Sequence, residues 1–449
     1  MQQRIYRHHP ERYRSENMAT FVNTFNLFLF FVFSLCYMYQ AVYAVIVLVK
    51  DHRRKITHVQ DEPLHKFAVM IAGRNEEAVI GELVRSIKNQ DYPEELIDVF
   101  VIADNCTDNT AQVAEEAGAE VLVRNDRLVV GKSHALDFAL NRIRVLYGDC
   151  SGRTDYDAYF VFDADNVLDP GFVSAMNRGV NRGYQVLTCY RNSKNYDSNW
   201  ISAGSALWFL REAKFLSNAR YMMGSSCAIS GTGFMISADI LESNGGWIHH
   251  LLTEDIEFST DCIAHGIRIG YCADAYVYDE QPTTMKDSWR QRMRWAKGFY
   301  QVFFSYGRDL AKGITRGQFA SYDMLMTIAP GMILTLLSFS VNATYLVIGS
   351  LSHGFFATQA ELDMCTGSLI MTFVSLYVTF FLLALITTVS ERSHIHAKKR
   401  WRVVTNLFTF PIFMMTYIPI TVAALFKKVE WIPTKHDIAV DLSDVVQDA

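Results

Sequence analysis

The chain has 449 residues, is 50% apolar and 13% aromatic, and carries a formal net charge of −5. So much apolar content points to a bilayer, and the lack of a global basic field argues against a nucleic-acid partner. Its eight cysteines, at 36, 106, 150, 189, 227, 262, 272 and 365, form no CxxC pair and no Cys/His cluster. That pattern fits reduced structural thiols in a cytoplasmic domain better than a disulfide framework or a zinc site.

Residues 1–20 form a basic leader containing "RIYRHHPERYR", followed by an apolar run over 21–49. The run far exceeds a cleavable signal core and has no small-residue cut site, so it reads as an uncleaved transmembrane anchor. Three more stretches, 324–350, 368–389 and 403–426, exceed the roughly 20 apolar residues needed to cross a hydrocarbon core of about 30 Å. "KDHRRK" at 50–55 and "ERSHIHAKKRWR" at 391–402 are strongly basic, whereas 352–367 has no Lys or Arg. The positive-inside rule then makes this a multi-pass cell-membrane protein with residues 60–288 as a cytoplasmic domain. The leader is basic as well, which leaves the number of crossings open. Pro411 and Pro419 offer a break by which the last segment, 403–426, folds as a hairpin or re-entrant piece and returns the tail, 427–449, to the cytoplasm.

From residue 66 the pattern changes to short apolar strands, each followed by a helical pattern. "FAVMIA" leads into "NEEAVIGELVRSIKNQ", "IDVFVIAD" into "TDNTAQVAEEAGA", and "EVLV" through "GKS" into "HALDFALNRIR"; "AYFVFDAD" ends in acid. Continuous apolar strands alternating with helices predict an α/β domain with a mostly parallel sheet covered on both faces, whose ligand sits beyond the carboxyl ends of the strands. Asp104 falls at that end of the second strand, and Asp163 and Asp165 at that end of the fourth. No GxGxxG opens the first helix, and "GKS" at 131–133 lacks the upstream glycine of a P-loop because Asp126 stands there.

Acid-x-acid after a buried strand suits Mg²⁺ or Mn²⁺ held by one or two carboxylates with substrate phosphates completing the shell. The plainer alternative is a solvated turn, and Asp104 is equally read as an Asx turn before "NCTDN". The shared rim favours a joint site, in which Asp104 grips a nucleotide's base or ribose. "ISGTGFMIS" at 229–237 contains two glycines suited to close backbone approach or to a bulge. In "LLTEDIEFSTDC", Thr253 is placed to cap a helix whose first acids are Glu254 and Asp255, and Asp255 is a candidate general base. His249 and His250 are adjacent with no third ligand at zinc spacing, which points to packing or hydrogen bonding.

Asp104, "DAD" at 163–165, "TED" at 253–255 and "QRMRW" at 291–295, in that order and followed by membrane helices, resemble the D, DxD, TED, QxxRW series of processive family 2 membrane glycosyltransferases. These are the synthases of cellulose, chitin, hyaluronan and poly-N-acetylglucosamine. The resemblance covers roughly residues 66–300 and implies a Rossmann-like GT-A fold and a nucleotide-sugar donor, most often a UDP-sugar. It implies that Asp104 contacts the nucleotide, that Asp163 and Asp165 hold Mg²⁺ or Mn²⁺ at the diphosphate, that Glu254 touches substrate, and that Asp255 is the base. Lys132 lies where such enzymes often carry a donor-contacting cation. The chain departs from the pattern in having one clear N-terminal span and "GTGF" in place of the family's cysteine- or proline-bearing loop, so no particular polymer is assigned.

Inverting transfer needs an acceptor hydroxyl deprotonated on one side of the anomeric carbon and a diphosphate stabilised on the other. Arg294 offers a permanent cation matched to phosphate oxygens. Trp295 offers a flat apolar face for a sugar ring. Gln291, on the same helical face, offers hydrogen bonds. The same stretch, 289–320, also reads as an amphipathic helix lying at the membrane interface, with the membrane helices following over 321–426. "KKVEWIPTKH" at 427–436 resembles the Trp and Thr-Lys or Thr-Arg tails of related synthases, which implies a mobile cover over the donor, and reads equally as a basic juxtamembrane anchor. The resemblance implies transfer of a sugar to a growing polysaccharide with translocation through the membrane helices. The alternatives are single addition to a lipid, or an inactive membrane scaffold. Homo-oligomerisation or accessory export proteins are compatible partners.

Overall fold

The computed structural model describes residues 10–50, 62–328, 330–351, 359–429, 436 and 438, so residues 1–9 of the leader and most of the tail lie outside the described residues. Eight strands, β1 (Phe67–Gly73), β2 (Ile97–Asp104), β3 (Glu120–Arg124), β4 (Ala158–Asp163), β5 (Val167–Leu168), β6 (Val186–Ser193), β7 (Phe234–Ser237) and β8 (Ile269–Asp279), make one sheet. Its order is β3-β2-β1-β4-β7-β6-β8-β5. Strands β1 to β4 pair in parallel, and β7 runs antiparallel between β4 and β6. Because β7 reverses direction twice over, β6 and β8 point the same way as β4. The carboxyl ends of β2, β4, β6 and β8 therefore share one rim.

Alternation along a strand explains the two-sided core. Phe67, Val69 and Ile71 of β1 pack on one face with Ile80, Leu83 and Phe172, while Ala68 and Met70 pack on the other with Leu136, Leu140 and Leu207. This is the mostly parallel, doubly covered sheet that the apolar runs predict.

Among the described residues three helical segments, Thr20–Lys50, Cys365–Ser390 and Arg400–Phe426, are long and apolar enough to cross a membrane. Leu35 is 75% exposed on the first of them, as a lipid-facing residue would be. The helix Pro10–Lys50 runs without interruption through the second half of the basic leader into the anchor. The expected crossing over 324–350 falls on the helices Phe319–Ile328 and Pro330–Leu351, with residue 329 outside the described residues. The last segment does not fold back as a hairpin: Thr416 keeps helical angles (φ −65°, ψ −16°) between Arg400–Met415 and Tyr417–Phe426, and Pro411 sits inside the first of these. A proline removes one intrahelical bond, which bends a helix more readily than it reverses one.

A buried polar knot ties membrane helix to sheet domain. Asp323 accepts from Arg220 Nε at 2.7 Å and Nη2 at 2.9 Å, and from the hydroxyls of Tyr39 at 2.9 Å and Tyr43 at 2.7 Å. Every carboxylate oxygen is satisfied by charge-assisted or hydroxyl bonds, so the charge pair is tolerated away from water.

Candidate active site

One cavity of about 540 Å³ opens on the shared rim. Asp104, Lys132, Asp163, Asp165, Glu254 and Asp255 line it, and so do Gln291, Arg294 and Trp295 from the helix Met285–Thr315. All nine candidate residues named from the sequence are thus brought to a single space, from β2, β4 and three separate helices or their approaches.

Each is held by a local partner. Asp104 is buried and accepts from Arg124 Nη1 at 2.6 Å and Asn105 Nδ2 at 2.9 Å. Lys132 opens the helix Lys132–Tyr147 and spans to β4: its Nζ donates to Asp163 Oδ1 at 2.5 Å and to the Gly231 carbonyl at 2.8 Å. Gly231 has φ +82°, a left-handed angle that glycine adopts without penalty, and this turns its carbonyl toward Lys132. Asp165 accepts from the Glu280 N–H at 2.8 Å. Burial alone would raise its pKa, but His436, Lys194, that N–H and Arg191 together hold its carboxyl below the usual range.

Glu254 and Asp255 begin the helix Glu254–Ala264. Burial first, and then Asp255, push Glu254 up to about 7 against the opposing pull of Lys132 and Arg294. Burial raises Asp255 as well, opposed by the Ile256 N–H, Lys132 and Arg294. Two carboxyls side by side at a desolvated helix start cannot both ionise readily, which is how acid and base roles become separated. Thr253 occupies the N-cap position, yet its side chain makes no cap hydrogen bond and its buried Oγ1 has no partner. It is packed instead against Gly298, where an added Cβ would sit 2.4 Å from Thr253 Oγ1.

The "QRMRW" segment divides by helical phase. Gln291, Arg294 and Trp295 face the cavity, where Arg294 Nη1 donates to the Leu252 carbonyl at 3.3 Å and Trp295 meets Phe209 edge-on at 6.0 Å. Arg292 points the other way and is 1% exposed; it donates to Thr416 Oγ1 at 2.6 Å and the Phe413 carbonyl at 3.2 Å. His249 is buried on Trp247 and Phe258 with Nε2 3.2 Å from Asp261, a packing and hydrogen-bonding role.

Sequence reading missed Glu76, Arg191, Asp279 and His436, all of which line the cavity. Arg191, near the end of β6, donates through Nε to Asp279 Oδ2 at 2.6 Å at the end of β8 and lies 3.8 Å over the Phe209 ring. The rim rule that selected Asp104 and Asp163 reaches both, once "VLTCYRNS" and "IGYCADAYVYD" are read as strands parallel to β4. His436 comes from the tail: its Nδ1 lies 3.1 Å from each Glu76 oxygen, and the Ile438 N–H donates to Glu280 at 3.0 Å. Burial opposes a charge on His436, but Asp165, Glu76 and Glu280 outweigh it and raise its pKa to about 10. No sequence period predicts a contact 360 residues apart.

Among the described residues no cluster of three or more His, Cys, Asp or Glu is spaced to hold a metal by itself. Asp163 and Asp165, hard oxygen donors at the end of one strand with Asp165 favoured in its ionised form, fit a divalent cation that takes its other ligands from a substrate. 

The family model described as "Glycosyltransferase like family 2" matches residues 65–298, so the chain belongs to that family. It is 28% identical over 251 residues to a beta-monoglucosyldiacylglycerol synthase of Synechocystis sp., covering 55% of this chain and 50% of the relative. It is 23% identical over 313 residues to a poly-beta-1,6-N-acetyl-D-glucosamine synthase of Staphylococcus epidermidis, covering 68% of this chain and 71% of that one. The chain spans about half the length of the first curated relatives it matches. A mannosyltransferase from Pyrobaculum calidifontis, solved in complex with GDP-Man and Mn²⁺, superposes with a TM-score of 0.55 at 15% identity over 90% of this chain and 99% of that one. That likeness establishes the shared GT-A fold.

Proposed function

We propose that the chain transfers a hexose with inversion from a nucleoside diphosphate sugar, a UDP-sugar first, to an acceptor hydroxyl that enters from the membrane side. The observation that carries this reading is the continuity of one cavity. Besides the carboxylates it is walled by Phe33 of the N-terminal membrane helix, Leu336, Leu376, Phe380 and Ile418. An apolar wall of that kind suits an acyl or prenyl chain, so a lipid-borne acceptor leads. Growth of a polysaccharide, exported as it lengthens, is the second reading; Trp295 beside the carboxylates and the order of the motifs favour it.

In this reading Asp104 and Lys132 contact the nucleotide, and Asp163 and Asp165 hold Mg²⁺ or Mn²⁺. When bound, such a cation supplies Lewis-acid charge to the leaving diphosphate. Asp255 accepts the proton of the acceptor hydroxyl, whose oxygen forms the new bond to the anomeric carbon. The bond to the diphosphate breaks on the opposite face and its electron pair leaves with the nucleotide. Arg294 offsets the charge that develops there, Glu254 and Gln291 position the sugar, and Trp295 holds the acceptor ring. The basic loops at 50–55 and 391–402 put this chemistry on the cytoplasmic side of a cell membrane, with residues 60–288 as the catalytic domain.

The test is the purified full chain in lipid with a panel of nucleotide sugars and Mg²⁺ or Mn²⁺, following nucleotide release and product mass. One added hexose per lipid supports the leading reading, and a ladder of products supports the second. No release from any donor sinks both.

A further inference from the structure

The helix Trp200–Arg211 passes directly into a π-helical segment, Glu212–Ser217. Such turns are rare and frequently mark functional positions. At the junction stands Arg211, 8% exposed and on the wall of the cavity. Its Nη2 donates to Gln40 Oε1 of the N-terminal membrane helix at 2.8 Å, and its guanidinium lies 4.8 Å over the Trp208 ring. Its Nε has no hydrogen-bond partner, and among the described residues no carboxylate lies within 4.0 Å of it. A buried cation with one neutral acceptor and one orphaned donor is costly unless something else completes it.

Arg220, nine residues on, shows the contrast. It is also buried, but Asp323 grips it with two bonds. Burial is the largest influence on Arg211 and draws it down to about 10; Glu212 and, less, Tyr39 favour its charge, and Arg220 opposes it. Phe33, Tyr37 and Leu216 line the same cavity as Arg211, so an anion placed there has apolar neighbours on the membrane helix.

We infer that Arg211 forms an anion subsite at the membrane-helix side of the cavity and takes the phosphate of a phosphate-bearing acceptor lipid. This rests on the acceptor-entry reading above. Arg211 reaches the cavity wall, and its planar guanidinium offers the forked geometry that phosphate oxygens accept. The phosphate would supply the missing counter-charge, and the acyl chains would lie along the apolar wall.

The experiment uses the full chain in neutral detergent, titrated with phosphatidic acid, with diacylglycerol of the same acyl chains, and with inorganic phosphate alone. Phosphatidic acid is expected to bind at least tenfold more tightly than diacylglycerol. Arg211→Met is expected to erase that preference while its ligand-free melting temperature stays level or rises, because an uncompensated buried charge has been removed. Arg211→Lys should retain part of the preference. Equal affinities in the wild-type chain, an undiminished preference in R211M, or the whole effect reproduced by inorganic phosphate would each overturn the inference. So would failure of R211M to fold, which would mark a purely structural cation. Wild-type nucleotide-sugar hydrolysis is read in the same samples. Hydrolysis without lipid preference removes only this inference, and lipid preference without hydrolysis removes only the glycosyltransferase mechanism.

Discussion

Gly298 and Thr253 are in contact because glycine has no side chain: a Cβ at 298 would lie 2.4 Å from Thr253 Oγ1 and 2.5 Å from its Cγ2. Gly298 follows Trp295 by three residues, and Thr253 precedes Glu254 and Asp255. The contact thus sets the distance between the helix that carries Arg294 and the carboxylates that face it. Gly298→Ala must push the two apart. Overpacking of this kind costs about 1–3 kcal/mol. A lower melting temperature and a fall in hexose transfer are expected together, and an alanine variant with wild-type transfer would remove the spacing role.

Asp255→Asn keeps the shape of the helix start and removes the proton acceptor. General-base catalysis contributes roughly 10²–10⁴-fold, so initial transfer rates should drop by that order while nucleotide binding by calorimetry is retained. A variant within threefold of wild type leaves Asp255 without the role proposed for it.

The raised pKa of Glu254, about 7, makes stability depend on pH with a definite sign. A carboxyl whose folded pKa lies above its unfolded value stabilises the fold while protonated, and that contribution is lost as pH rises through the folded value. Melting temperature should therefore fall between about pH 5 and pH 8, and Glu254→Gln should flatten that part of the curve. Transfer runs the other way: raised Asp255 must lose its proton to act, so rates should fall on the acid side at a pH above that of an ordinary aspartate.

The two arginines of "QRMRW" should separate cleanly. Arg292→Ala removes a buried guanidinium that bonds the Phe413 carbonyl and the Thr416 hydroxyl and lies 4.2 Å over the Phe413 ring; those two groups keep their own bond at 2.5 Å, so the cost is that of the lost charge-assisted bonds, about 1.5–3 kcal/mol. Its signature is a lower melting temperature. Arg294→Ala should leave the melting temperature nearly unchanged and reduce transfer, and an equal loss of stability in both variants would contradict the phase argument.

Chelation of divalent cations should abolish transfer, and Mn²⁺ or Mg²⁺ should restore it. Asp165→Asn should lift the concentration needed for restoration. Full transfer in excess chelator would leave the acid-x-acid turn without its assigned role.

What the sequence determined is what depends on local period and chain direction. Runs such as "FAVMIA" and "IDVFVIAD" are apolar at every position because both faces of a parallel sheet are covered, and strand direction alone puts Asp104 and Asp163 on one rim. Helical phase likewise groups Gln291, Arg294 and Trp295 and turns Arg292 away. What only the tertiary structure decided are meetings between residues far apart in the chain. Arg191 finds Asp279 because β6 and β8 pair in parallel with Arg191 opposite Val277, and the reversal through β7 turns their shared end onto the rim of β4. His436 reaches Glu76, Arg211 reaches Gln40, and Thr253 gives up its capping bond to pack on Gly298. None of these has a period to read, since each is fixed by how separate elements share buried space, and that is set by packing of the whole chain.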